Sequence, residues 1–284
     1  MLRREYGKTG EQLSIVGFGG IVVTDTEPSE AARLVAEAVD RGINYFDVAP
    51  SYGNAEERLG PALKPHRSKA FLACKTGKRD AAGARAELER SLGLLQTDHF
   101  DVYQLHGMTS EEDYQKAMGP GGALETFVKA REEGKVRFLG FSAHSVEIAL
   151  KLMDAFDFDS ILFPFNWVNF FNADFGPQVL ETALKKGVAR LALKGMAMTR
   201  WEQGEDRSYK KCWYRPIDDP ALADLAWRWT LSQPITAAVP PGDAKLFKLA
   251  LDIAERFKPL SADEGLELRR RAEGLKPIFE LQPA

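Results

Sequence analysis

Only two cysteines, Cys74 and Cys212, occur in 284 residues. Two thiols cannot form a disulfide framework and show no metal-ligand spacing, so neither a stapled secreted scaffold nor a metal site is expected. No run approaches the roughly 18 apolar residues of a membrane span. Charge of one sign is also lacking. The net charge is -3, with 38 Lys and Arg against 41 Asp and Glu and no basic stripe, which excludes an electrostatic nucleic-acid binder. The opening residues, Met1 to Tyr6, lead into no apolar stretch of signal-peptide length. A cytoplasmic protein without a membrane partner is expected. Internal repeats, low-complexity segments and linker-like stretches are missing too. One domain over 1–284 is therefore expected, a length ordinary for a single α/β barrel.

What is present is alternation. Short runs rich in Val, Ile, Leu and Phe read as strands at Ser14–Gly19, Asn44–Val48, Ala70–Lys75, Phe100–His106, Val136–Phe141, Ser160–Phe165, Val188–Leu193 and Ile235–Val239. Their near-continuous apolar character suits strands buried on both faces. Helical patterns lie between them. Pro28–Arg41 repeats apolar residues at Ala31, Leu34, Val35, Ala38 and Val39, with Thr26 expected as its N-cap and Gly42 as its stop. Further helices are expected at Asn54–Leu63, Arg85–Leu95, Ser110–Glu133, Ser145–Phe156, Pro177–Lys186, Pro220–Ser232 and Asp243–Phe257. A last helix is expected within the tail that begins at Leu260. Strict alternation implies parallel strands with right-handed crossovers. Eight units close most naturally into a (β/α)8 TIM barrel with an N-terminal hairpin or turn and an extra C-terminal helix. An open doubly wound sheet is the alternative. It would need a Gly-rich first turn, and Gly17-Phe18-Gly19-Gly20 lacks the third glycine of that motif. The long connection 195–219 carries Met196, Met198, Trp201, Tyr209, Trp213 and Tyr214. It reads either as a lid over a flat ligand or as a loop packing its own aromatics.

Three consecutive strands end in ionisable residues: Asp47, Lys75 and His106. Tyr52 lies five residues after Asp47, on the loop Ala49–Gly53. In a barrel the four converge at the C-terminal mouth, where active sites sit. Singly, each reads as a cap, a packed ring or a surface charge. Together they form a proton-transfer set. Hydride reduction of a carbonyl leaves an alkoxide that needs a proton. A phenol can supply it, but its ordinary pKa of about 10 is high, and a nearby ammonium would lower it. Tyr52 is thus expected as general acid, Lys75 as its tuner, Asp47 as the partner of Lys75 and His106 as the ligand of the carbonyl oxygen. A Schiff-base role for Lys75 is the competing chemistry.

This quartet resembles the catalytic tetrad of the aldo-keto reductase superfamily, in a divergent bacterial branch. The likeness extends through Tyr6–Gly10, Gly17–Gly20, Phe46–Gly53, Lys135–Ser142 and Val239–Gly242. It implies reduction of an aldehyde or ketone with NADPH, or alternatively NADH, and no metal. The cofactor contacts it implies are Gly19, Gly20, Ser142, Asn166, Lys194, Gly242 and Lys245, with Lys248 as an alternative to Lys245. Lys194 would reach a cofactor phosphate or remain a strand-end surface charge. The pattern departs from the family where Ala143 replaces an Asn, where Leu162 replaces a Gln, and where no Glu-Asn pair follows Lys245. Asp243 at the head of its helix repels a 2′-phosphate. These departures motivate a second reading, a cofactor-binding redox sensor with little turnover. The aromatics Trp167, Phe170, Phe171, Trp201, Trp213 and Tyr214 are expected to wall an apolar substrate pocket.

Overall fold

The structure, a computed structural model, describes residues 1–281. The last three residues of the expected domain, 282–284, lie outside the described residues. Eight parallel strands follow one another round a barrel: β1 (Phe18–Gly19), β2 (Tyr45–Asp47), β3 (Phe71–Thr76), β4 (Phe100–Met108), β5 (Val136–Ala143), β6 (Ser160–Phe163), β7 (Ala189–Leu193) and β8 (Ala237–Val239). Each pairs with the next in chain order, as right-handed crossovers require. The ring closes through a parallel bridge between Val16 and Ala238. There the Gly17 N–H donates to the Ala238 carbonyl at 2.9 Å, and the Ala238 N–H donates to the Ile15 carbonyl at 2.9 Å. Among the described residues no helix is long and apolar enough to cross a membrane.

Two layers of apolar side chains hold the barrel. Leu13, Tyr45, Phe71, Val102, Leu162 and Leu191 fill its interior. A larger layer, including Leu34, Leu88, Phe127, Leu152 and Trp227, lies between strands and helices. The N-terminal hairpin, Arg3–Glu5 paired with Gln12–Ser14, closes the bottom. Its Tyr6 is fully buried, with its ring 4.8 Å from Phe71 and 5.6 Å from Phe138.

Register positions the site. Gly19 stands opposite Asp47, Asp47 opposite Ala73, and Lys75 opposite Gln104. Side chains alternate with period two along a strand, so Ala73 and Lys75 share a face. Lys75 therefore rises one pair above Asp47 on the interior side.

Several sequence expectations are corrected. The strand expected over Ser14–Gly19 is cut short: Ser14 ends the hairpin and only Phe18–Gly19 joins the barrel sheet. Thr26 does not cap the first helix, Pro28–Asp40. Its hydroxyl donates to the Val23 carbonyl at 2.8 Å, and Glu27 holds the cap position. The helix expected over Ser110–Glu133 is two, Glu111–Met118 and Ala123–Glu132, because Gly119–Gly122 breaks it. The connection after β7 forms its own hairpin, Ala197–Arg200 paired with Tyr214–Pro216. The final helix, Ala262–Ala272, hands on to a tail that returns to the mouth. There the Asn169 Oδ1 accepts from the Ile278 N–H at 3.1 Å.

One glycine is set by close approach. A Cβ on Gly60 would lie 2.3 Å from the Leu94 carbonyl oxygen and 2.8 Å from the Leu95 Cα, both backbone atoms. Alanine usually stabilises a helix interior over glycine. Here the sign reverses, and Gly60→Ala is expected to cost about 1–3 kcal/mol by overpacking. A urea unfolding midpoint at or above the parent's would contradict this.

Candidate active site

Asp47, Lys75, His106 and Tyr52 meet at the C-terminal mouth. Lys75 is fully buried. Its Nζ donates to the Asp47 Oδ1 at 2.5 Å and to the Val48 carbonyl at 3.2 Å. The second oxygen of Asp47 accepts from the Tyr45 hydroxyl at 3.0 Å. The carboxylate is thus held from both sides. The Lys75 ammonium lies 5.7 Å from the Tyr52 ring centre. The Tyr52 and His106 rings are 5.7 Å apart and nearly perpendicular, at 84°. The Ser51 hydroxyl lies 3.4 Å from the His106 Nδ1. Arg79 donates to the His106 carbonyl at 2.8 Å while paired with Asp113, which fixes the strand end.

Electrostatics correct one expectation. Burial, then the Asp47 carboxylate, then Cys74 push the Tyr52 phenol well above its ordinary 10.0. Lys75 does not lower it in the free protein. Its ammonium lies against Asp47, and the neighbouring charges act on Tyr52 upward on balance. Tyr52 accordingly keeps its proton at neutral pH. His106 moves the other way. Burial first, then Lys75, Arg79 and Lys194, bring its imidazole down to about 3. It is neutral at pH 7 and able to donate or accept one hydrogen bond.

His106 has a consequence for stability. Between its ordinary 6.5 and about 3, the unfolded chain binds a proton that the folded one refuses. Stability from this group is full above pH 6.5 and is lost as pH falls through that window. His106→Gln is expected to show a shallower loss of unfolding free energy between pH 6 and 4 than the parent. Parallel curves would contradict the assignment.

A cavity of about 110 Å³ lies beside the quartet, with Asp47, Tyr52, Leu162, Leu193, Lys194 and Val239 in its wall. Gly19 and Gly242 also border it. A Cβ on Gly19 would lie 2.9 Å from Val239 Cγ1, and one on Gly242 would lie 2.3 Å from Ile21 Cγ2. Trp213, Tyr214 and Lys211 cover it from the β7 connection. Lys211 reaches across the mouth and donates to the Val22 carbonyl at 3.0 Å.

The other expected cofactor contacts are engaged elsewhere. Gly20 packs where a Cβ would meet Val48 at 2.8 Å. Ser142 is fully buried, and its hydroxyl accepts from the Gly107 N–H at 2.7 Å. Asn166 caps the helix Trp167–Ala173 and donates to the Lys194 and Ala197 carbonyls at 2.9 and 2.8 Å. Lys245 is exposed. The Asp243 carboxylate accepts from the Lys245 and Leu246 N–H groups at 2.9 and 3.3 Å, so two amides at that helix N-terminus already have a partner. Lys248 is paired with Glu37 at 3.1 Å.

The expected aromatic wall divides. Trp167 is core, its indole N–H donating to the Ala197 carbonyl at 3.2 Å. Phe170 and Phe171 pack on Trp229, at 5.0 and 5.5 Å. Trp213 and Tyr214 border the small cavity, and Trp201 borders a second, larger one. Cys212 is a buried thiol pushed up to about 12 by burial and Asp243, hence unreactive.

Three residues escape the sequence reading. Tyr45 was discoverable, since it shares a strand face with Asp47 two residues on. His144 follows Ser142-Ala143 at the end of β5, and no spacing rule distinguishes it. Lys211 lies in a connection whose path the sequence does not encode locally.

The geometry agrees with the comparisons. The profile of the Aldo/keto reductase family matches residues 16–268. Oxidoreductase YqkF of Bacillus subtilis (strain 168) is 26% identical, over 93% of this chain and 94% of its own. L-galactose dehydrogenase of Arabidopsis thaliana is 32% identical, over 53% of this chain and 51% of its own. The holo form of aldo-keto reductase AKR11C1 from Bacillus halodurans has the same fold, with a TM-score of 0.75, 23% identity, and coverage of 99% of this chain and 98% of that one. A barrel with this mouth and this match places the chain in the aldo/keto reductase family, as an NAD(P)-dependent oxidoreductase.

Proposed function

We propose that the protein reduces an aldehyde or ketone to an alcohol, with Tyr52 as general acid. The observation that carries this reading is the half-buried, proton-bearing Tyr52, whose ring centre lies 5.7 Å from both the Lys75 ammonium and the centre of the His106 ring. The carbonyl oxygen would lie between Tyr52 and His106. Neutral His106 donates one hydrogen bond to it and orients it. As the carbonyl carbon gains two electrons and a hydrogen, its oxygen becomes a base stronger than a phenolate and takes the Tyr52 proton. The resulting phenolate is then stabilised by Lys75, which Asp47 and Tyr45 hold in place. Water exclusion by Trp213 and Tyr214 strengthens each of these interactions.

The residues at the small cavity fit a nicotinamide cofactor. Leu162, Leu193 and Val239 offer apolar contact for a flat ring, and Lys194 and Lys211 offer positive charge. The cofactor, when bound, supplies the hydride. Gly19 and Gly242 keep the slot narrow, and Gly20, Ser142 and Asn166 shape its walls from behind. NADPH is the expected cofactor, with NADH the alternative because Asp243 heads the helix that bears Lys245. A cavity of about 110 Å³ is below the usual size of a ligand site, so Trp213 and Lys211 must move for binding. We take residues 1–284 as one barrel domain acting on a small-molecule carbonyl compound in the cytoplasm, a setting in keeping with two free, buried cysteines. The test is stopped-flow oxidation of NADPH by a panel of aromatic and aliphatic aldehydes. Cofactor binding without oxidation by any of them would favour the redox-sensor reading instead.

A further inference from the structure

A second pair of basic groups, Lys194 and His144, stands beside the quartet and takes no part in the proton transfer above. Lys194 directly follows β7, in the left-handed region with φ at 63°. That conformation is uncommon for a residue with a side chain. It is held by the Asn166 amide and the Ala197 N–H, which both donate to the Lys194 carbonyl at 2.9 Å. The effect is to bring the ammonium to His144, with Nζ 3.1 Å from Nε2. The faces of Trp213 and Phe279 lie 5.6 and 5.5 Å away. Phe279 in turn stacks on the His144 ring at 5.0 Å.

Lys75 is matched by Asp47, whereas among the described residues Lys194 has His144 as its side-chain hydrogen-bond partner and pairs with no carboxylate. A desolvated cation beside a neutral acceptor is an incomplete arrangement. Burial brings Lys194 down to about 7, and burial together with Lys194 holds the His144 imidazole neutral. An anion placed against the pair would restore the full charge on Lys194. His144 also borders the larger cavity, of about 740 Å³, which suits a small organic ligand. Its wall carries Arg200, Arg215 and Lys276 against Glu202 and Glu280. Lys194 and Tyr52 border the same small cavity, of about 110 Å³. An anion on Lys194 and a carbonyl oxygen at the Tyr52 phenol would therefore be near neighbours.

We propose that Lys194 and His144 form an anion site, and that the substrate carries a carboxylate beside its reacting carbonyl, as a 2-oxo acid does. This rests on the reductase reading, which assigns the carbonyl oxygen to His106 and Tyr52. It assigns Lys194 to the substrate rather than to a cofactor phosphate.

The test compares phenylglyoxylate with its neutral methyl ester, binding to the NADP⁺-loaded protein and read by tryptophan fluorescence. Neither probe needs to turn over. The parent is expected to prefer the acid. Lys194→Met is expected to weaken the acid relative to the ester by about 10- to 100-fold, the range for loss of one hydrogen bond to a charged group. Lys194→Arg is expected to recover most of that preference, which guards against a folding artefact. The affinity of each variant for NADP⁺ is measured alongside. An unchanged acid-to-ester ratio in Lys194→Met overturns the proposal. Weakened NADP⁺ binding in that case would assign Lys194 to a cofactor phosphate, and unaltered binding would make it structural. Turnover of both probes is scored separately. A charge-dependent ratio without turnover would leave the anion site standing and remove the reductase reading. Turnover without charge preference would do the reverse.

Discussion

Tyr52→Phe is expected to lower kcat by about 10²–10⁴, the usual contribution of a positioned general acid. The variant removes one hydroxyl and keeps the ring that packs edge-on to His106. Cofactor binding should survive, so the loss should fall on turnover rather than on the cofactor's Kd. The pH profile offers a second check. Since burial and Asp47 push the phenol well above 10.0, the parent's turnover should not decline through loss of the Tyr52 proton below about pH 10. Near-normal turnover in Tyr52→Phe would require another donor and would overturn the assignment.

Lys75→Met is expected to cost about 3–5 kcal/mol of stability as well as activity, because it strands a buried carboxylate. Asp47 is 3% exposed and Lys75 is inaccessible, so water cannot replace the lost ammonium. The Tyr45 hydroxyl and the remaining packing cannot compensate for a missing charge. The double variant Lys75→Met/Asp47→Leu removes both charges. It is expected to recover most of the lost stability while remaining inactive, since an ion pair replaced by apolar groups is often neutral. Urea unfolding of both variants separates the two effects. A single variant as stable as the parent would mean that the pair is more hydrated than the burial of its side chains implies.

Much of this was legible in the sequence, for physical reasons. Strands buried on both faces read as apolar runs, and seven of the eight expected runs overlap their strands closely. Asp47, Lys75 and His106 fall at or near strand ends, and parallel strands in a closed barrel can only bring such ends to one mouth. Other features were not local. Periodicity marks Trp167, Phe170 and Phe171 as apolar but does not say which layer they join. Asn166 decides that by starting a helix there and turning Trp167 into the core. Gly119–Gly122 was visible as a break, yet the apolar pattern on both sides suggested one helix. The rise in the Tyr52 pKa depends first on burial and then on the nearness of Asp47, neither of which any spacing encodes. The direction of Lys194 depends on a backbone conformation imposed from Asn166, 28 residues away.

The mouth beneath Trp213 is expected to bind a reduced nicotinamide cofactor. The most direct measurement is titration of the protein with NADPH and, separately, NADH, read by quenching of tryptophan fluorescence in the parent and in Trp213→Phe. Saturable quenching with at least one cofactor is expected, with most of the signal lost in Trp213→Phe because that indole borders the cavity. The tighter ligand reports how far Asp243 disfavours a 2′-phosphate. No saturable quenching with either cofactor would contradict the account at its base and leave only the barrel.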